Sequence, residues 1–309
     1  MALSAMTENS ATRHCEVPGC PNAAGYGLRV LAALEPPLTR RGADRDRTMC
    51  LILIALDSHP DYPLVVAANR DEFYDRPSAV AGFWADAPGI LGGRDLKAGG
   101  TWLGIDRRGR FAAVTNYRQG QREPAAPRSR GHLVSDYLTT GIDVRAHIER
   151  VECDAALYNG FNLIAGDAHE LFYFSNRGGR ARALGAGIYG LSNHLLDTAW
   201  SKVTSSKNAL NALLTGGGSD LVPNLFALLS DRRQAADRLL PRTGVSLAWE
   251  RLLSSAFIAS SDYGTRSSTV VLVSHDGGVV FVERNFGPDG TPAEEVRHEF
   301  QITRVDGTD

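Results

Sequence analysis

Cys50 directly follows Met49 and opens the run Met49-Cys50-Leu51-Ile52-Leu53-Ile54-Ala55-Leu56. If translation starts at Met49, or the chain is cut there, Cys50 becomes the first residue and carries a nucleophile and a base together. Its thiol would attack an acyl carbon. Its α-amine, with a free pKa of about 7.7–8.0, would take and return the proton. If Cys50 stays internal, it is a buried cysteine on a core strand. The cluster Asn69-Arg70-Asp71-Glu72 comes immediately after a buried apolar run. There Arg70 could hold a thiolate in its charged form, because a nearby cation lowers a thiol pKa. Asp71 could orient an α-amine. The competing reading is an ion pair that secures the end of the strand. Asn116 caps a turn or donates to an oxyanion. Asn193 precedes a long helical pattern and reads as its N-cap. Arg266, just ahead of another strand, is a third cation candidate.

The elements that must position these residues are legible in outline. Cys50–Leu56 and Leu64–Ala68 are apolar, β-rich runs separated by the turn formers of residues 57–63, and read as two neighbouring buried strands. Gly99–Ile105 and Arg110–Asn116 read as a hairpin turning at 106–109. The pairs Gly92-Gly93 and Gly99-Gly100 read as turns around Trp102. Helix-spaced apolar positions predict helices over 129–138 and 144–151, a long one over 195–214 ended by Gly216-Gly217-Gly218, and another over 221–240. Short strands are expected at 161–165, 171–174, 182–184, 188–191, 257–259, 269–273, 279–282 and 299–303. Strands joined by tight turns pair antiparallel, and helices arriving in blocks cover the outer faces. The fold class is therefore α+β.

Composition narrows the partners. The formal net charge is −2, which gives no electrostatic case for nucleic acid or an anionic membrane surface. No run of about 20 apolar residues exists, so no membrane span is expected. Four cysteines, two of them Cys15 and Cys20 near the start, make no disulfide framework and fit a reducing, cytoplasmic setting. No phosphate-binding glycine loop, no zinc-protease His-Glu-x-x-His and no Gly-x-Ser-x-Gly is present. The eight histidines are scattered without ligand spacing, and no metal is expected. Residues 1–48 differ in character from the remainder of the chain and read as a disordered leader or a mis-assigned start. Residues 49–309 read as one domain.

Nine segments taken in order carry a resemblance: Met49-Cys50, Asn69-Arg70-Asp71-Glu72-Phe73-Tyr74, Arg76-Pro77, Gly99-Gly100-Thr101-Trp102-Leu103-Gly104, Thr115-Asn116-Tyr117, 157–163, 189–193, 263–266 and 281–284. They resemble the NRDE family, that of the transport and Golgi organisation (TANGO2-like) proteins, whose members begin at the Met-Cys pair. The resemblance covers residues 49–309 and implies a fold like the N-terminal nucleophile (Ntn) hydrolases, a four-layer αββα sandwich of two antiparallel sheets. By similarity to the choloylglycine hydrolase and penicillin V acylase group within that fold, Cys50 is the nucleophile and base. Arg70 holds the thiolate and Asp71 the amine, Asn116 and Asn193 line an oxyanion hole, and Arg266 stabilises charge nearby. The spacing from Cys50 to Arg70 and the order Asn-Arg-Asp depart from that group.

The implied activity is cleavage of an acyl amide or acyl thioester, with no cofactor required. The alternative is a non-catalytic carrier of haem, lipid or acyl-CoA, and with haem as cargo no axial ligand is evident in the sequence. A scaffold in trafficking is a third reading, without a legible partner surface. Substrate identity and oligomeric state are not encoded legibly.

Overall fold

The structure is a computed structural model and describes residues 49–119, 124, 126–216 and 220–303. The expectation for residues 1–48, and part of the glycine stop at 216–218, lie outside the described residues. Among the described residues the strands are β1 (Cys50–Leu56), β2 (Leu64–Phe73), β3 (Ser78–Trp84), β4 (Ala87–Asp95), β5 (Leu103–Asp106), β6 (Phe111–Asn116), β7 (Phe161–Gly166), β8 (Leu171–Ser175), β9 (Arg182–Leu184), β10 (Gly187–Leu191), β11 (Tyr263–Val273), β12 (Gly278–Phe286) and β13 (Pro292–Gln301). The helices are α1 (Gly131–Thr140), α2 (Val144–Cys153), α3 (Ser201–Thr215), α4 (Leu221–Leu229) and α5 (Leu247–Leu252).

The strands form two sheets, ordered β10-β1-β2-β11-β12-β13 and β3-β4-β5-β6-β7-β8-β9, with antiparallel neighbours throughout. Side chains alternate faces along a strand, and β1 shows the consequence. Ile52, Ile54 and Leu56 join Leu103, Ile105, Phe111 and Phe281 in a core between the sheets. Leu51, Leu53 and Ala55 join Val203 and Leu210 of α3 and Leu225 of α4 in a second core. On the far side, α1 and α2 pack Leu133, Val134 and Ile148 against Ala112, Leu163 and Phe174 of the other sheet. The layers run helix, sheet, sheet, helix, the α+β αββα sandwich that the resemblance implies. β1 is apolar without alternation because both its faces are covered.

Several boundaries differ from the sequence expectation. The strand expected at 64–68 continues through Asn69, Arg70, Asp71 and Glu72 to Phe73, where buried partners take up much of the hydrogen bonding of those polar side chains. Asn69 Nδ2 donates to the carbonyls of Leu229 and Ala256, and the Thr265 hydroxyl donates to Asp71 Oδ1. α3 begins at Ser201 rather than 195, since Asp197 sits at φ +60° and accepts the Gly190 N–H on its carboxylate, which breaks the helix. The helix expected over 221–240 stops at Leu229, where Asn69 caps the Leu229 carbonyl. Residues 257–259 form no strand: the Phe257 N–H donates to the Asp231 carbonyl, and Ile258 meets β11 at Thr265 alone, its N–H donating to the Thr265 hydroxyl and its carbonyl accepting the Thr265 N–H. β3, β4 and α5 were not expected, and Gly92-Gly93 lies within β4 rather than in a turn. There a Cβ on Gly92 would stand 2.7 Å from the Leu103 carbonyl oxygen, so the close approach of β4 to β5 requires glycine.

Candidate active site

Strand parity sorts the site. Cys50 is the first residue of β1 and pairs with Arg70 of β2. It shares its face with Ile52 and Ile54, so the thiol points between the sheets. Arg70 and Glu72 alternate onto that side, and Asn69 and Asp71 onto the helical side, as the bonds of Asn69 to the ends of the helical layer show. Between the sheets lies a cavity of about 320 Å³ whose lining includes Cys50, Arg70, Trp102, Asn116, Arg266 and Glu283.

The peptide joining Met49 to Cys50 is fixed on every side. The Met49 N–H donates to the Tyr263 hydroxyl at 2.7 Å, and the Met49 carbonyl accepts from the Asp71 N–H at 2.9 Å. The Cys50 N–H donates to Asn193 Oδ1 at 2.9 Å, and the Cys50 carbonyl accepts from the Ser192 hydroxyl at 2.8 Å. Met49 itself is fully buried among Leu253, Ile258 and Tyr263, against Phe73, Trp200 and Trp249.

Of the sequence-predicted residues, Cys50, Arg70, Asp71, Asn116 and Arg266 line the cavity. Asn193 does not. It is fully buried, and its Nδ2 donates to the Asn116 carbonyl at 2.9 Å while Oδ1 holds the Cys50 nitrogen. It is no N-cap either, since α3 starts later, after Trp200. Arg266 Nη1 donates to the carbonyls of Phe73 and Arg76 at 3.0 and 3.1 Å, which secures the segment leaving β2. The Arg70–Glu72 ion pair measures 3.5 Å, and Arg76 reaches the same Glu72 oxygen at 3.6 Å.

Electrostatics follow from burial. The Cys50 thiol is pushed up to about 12, first by desolvation and next by the Asp71 charge, against the Asp71 N–H and the Arg70 guanidinium. Desolvation also raises Asp71 well above the usual carboxylate range, opposed first by the Lys202 ammonium, then by the Thr265 hydrogen bond and Arg70. Glu72 is raised by burial, against Arg70. Burial lowers Arg266, and Arg70 adds to that. With Met49 attached, the thiol is neutral at physiological pH and no free amine stands beside it.

The sequence reading missed Lys202, Tyr263, Thr265 and Glu283. For Lys202 a signal exists: it opens the four-residue row Lys202–Ser206–Leu210–Leu214, which faces inward on α3. Glu283 is buried between the sheets, accepting the Ala81 N–H at 3.0 Å and the Thr269 hydroxyl at 3.1 Å, and nothing in its local sequence marks it.

Among solved structures, the chain is similar to a Caenorhabditis elegans N-acylethanolamine-hydrolyzing acid amidase ortholog, with a TM-score of 0.39 and 13% identity over 72% of this chain and 92% of that one. It is also similar to a mutant conjugated bile acid hydrolase from Clostridium perfringens, with a TM-score of 0.38 and 9% identity over 85% and 95%. Sequence relatives are nearer. The Transport and Golgi organization protein 2 homolog of Bos taurus is 41% identical over 275 residues, 82% of this chain and 99% of the relative. The Homo sapiens homolog is 40% identical over 257 residues, 77% and 93%, and the Drosophila melanogaster protein 30% over 259 residues, 76% and 91%. The model of the family described as Transport and Golgi organisation 2 matches residues 49–288, the stretch that holds Cys50, every described strand except β13 and nearly all of the cavity lining. The chain thus belongs to the Transport and Golgi organisation 2 family.

Proposed function

We propose that the chain is a cysteine hydrolase of the N-terminal nucleophile type, cleaving an acyl amide or acyl thioester through Cys50. The observation that carries this is the placement of Cys50. Its thiol faces a cavity with Arg70 and Asn116, while its main-chain nitrogen sits on Asn193, next to Asp71 in the paired strand. Removal of Met49 turns that nitrogen into an α-amine where the thiol lacks a base. The amine then takes the thiol proton. Sulfur bonds to the substrate carbonyl carbon, and the C=O π pair moves onto oxygen. Asn116, part of the cavity lining, supplies the donor to that oxyanion in this mechanism, as such donors do in acyl transfer. Collapse expels the amine or thiolate, which leaves with the proton from the α-ammonium. Water, deprotonated by the same amine, then cleaves the Cys50 thioester and restores the thiol.

A second cavity of about 400 Å³, lined by Phe226, Phe257 and Phe286, shares Asn285, Phe286 and Ala293 with the first. It offers apolar room for an acyl part.

The test is turnover of acyl amides and acyl thioesters by protein that begins at Cys50, verified by intact mass. Expected are turnover, its loss in Cys50→Ala, and its absence while Met49 is retained. No turnover by protein with a verified Cys50 terminus would end the hydrolase reading. The carrier reading would then be tested by titration with haem and with fatty acids at micromolar protein.

A further inference from the structure

Lys202 is 4% exposed, on the face of α3 that covers β1 and β10. A lysine so placed ordinarily carries its ammonium out to water or meets a carboxylate. The Lys202 Nζ is buried with no hydrogen-bond partner among the described residues. Asp71 presents the matching defect. It is 1% exposed, its Oδ1 accepts from the Thr265 hydroxyl at 2.7 Å, and its Oδ2 is buried without a partner. Both groups lie on the helical side of β2, and each is the strongest charge acting in favour of the other's ionised form. Asp71 Oδ2 is thus a buried acceptor without a donor, on the strand paired with the one that begins at Cys50, and a small cationic donor would supply it. The α-ammonium of Cys50 has that chemistry.

We propose that Lys202 is a positioning residue of the Cys50 site, favouring the ionised form of the buried Asp71 so that the carboxylate can receive the Cys50 α-ammonium. The use made of the pair rests on the hydrolase reading; the coupling of Lys202 to Asp71 does not. The remaining groups that face the pair do not take over the task. From beyond β6, Arg118 opposes the Lys202 ammonium and is itself paired with Glu250 of α5 at 3.3 Å. Arg70 favours the Asp71 carboxylate less than Lys202 does, and Glu72 disfavours it. Tyr263, raised well above its ordinary value by burial and by Asp71, is a neutral hydroxyl. Without Lys202, desolvation of Asp71 prevails and the carboxyl keeps its proton at neutral pH.

The experiment is a pH titration of the full chain carrying 13C-labelled aspartate carboxyls, with the Asp71 signal assigned by its loss in Asp71→Asn. Lys202→Met is expected to move the Asp71 midpoint up by more than about one pH unit, and Lys202→Arg to restore most of that. A midpoint in folded Lys202→Met that stays with the wild type would overturn the proposal. Lys202→Met removes one member of a buried pair of opposite charges, which costs stability. Should that variant not fold, Lys202→Gln is read by the same criterion. In protein with a free Cys50 terminus, the acidic limb of kcat/KM should move up with the Asp71 midpoint while the plateau at higher pH changes only a few-fold. An Asp71 midpoint that moves in protein without turnover leaves the coupling standing and removes the hydrolase reading. A limb that stays put in active protein while the midpoint moves overturns the positioning role.

Discussion

Asn193 spends both ends of one amide on the main chain around Cys50, accepting from the Cys50 N–H and donating to the Asn116 carbonyl. Asn193→Leu strips the buried Cys50 N–H of its acceptor and removes the Asn193 donor to the Asn116 carbonyl. It should cost about 2–4 kcal/mol in urea unfolding; a loss under about 0.5 kcal/mol would mean that neither bond matters in solution. Asn69 makes a parallel case. Its amide reaches the Leu229 and Ala256 carbonyls and accepts from the Ser268 hydroxyl at 2.6 Å. Asn69→Leu strands those partners, and about 3 kcal/mol or more should be lost by the same measurement. Cys50, Arg70, Asp71, Asn116 and Arg266 were legible in sequence as chemically able residues at strand ends. Glu283 was not, because a charged side chain buried at long range leaves no local mark and its partners come from other elements, while Lys202 was marked only by its place on the inward row of α3.

At the scale of elements, α1 and α2 carry a titratable latch. His147 of α2 is 3% exposed, its Nε2 bonds to the Leu133 carbonyl of α1 at 3.1 Å, and burial holds its pKa down at about 4. A histidine with a depressed folded pKa binds its proton more readily when unfolded, so stability is full above about pH 6.5 and declines as pH falls towards 4. The loss should approach about 3 kcal/mol at the acid end. His147→Gln should flatten that part of the stability–pH curve, measured by urea unfolding from pH 4 to 7; an unchanged slope would place the titration elsewhere. Strand and helix identities were mostly legible where one pattern ran undisturbed, as in β1 or the β5–β6 hairpin, whose turn closes with Gly109 at φ +80°. Boundaries failed where a distant group intervened: Thr265 and Ser268 draw the polar end of β2 into the sheet, and left-handed Asp197 delays α3. β3 and β4 escaped notice because Gly82, Gly89, Gly92 and Gly93 depress their β-propensity.

At the scale of the whole molecule, the inter-sheet core binds the two halves of the sandwich and also roofs the cavity. Phe281→Ala removes a fully buried ring from that core and should cost about 3–5 kcal/mol. Thermal unfolding tracked by circular dichroism checks it; a small change would mean that the sheets close over the gap. The enclosure of Met49 has another consequence. The residue is wholly covered, and each of its main-chain hydrogen bonds goes to the folded sheet. A processing enzyme needs that residue in an extended, accessible form, which the finished sandwich does not present. Under the proposed hydrolase reading, a free Cys50 terminus would then have to form before the sandwich closes over Met49. Under that reading, molecules that close with Met49 in place would stay without turnover, and the specific activity of a preparation would record how quickly it folded relative to how quickly it was trimmed.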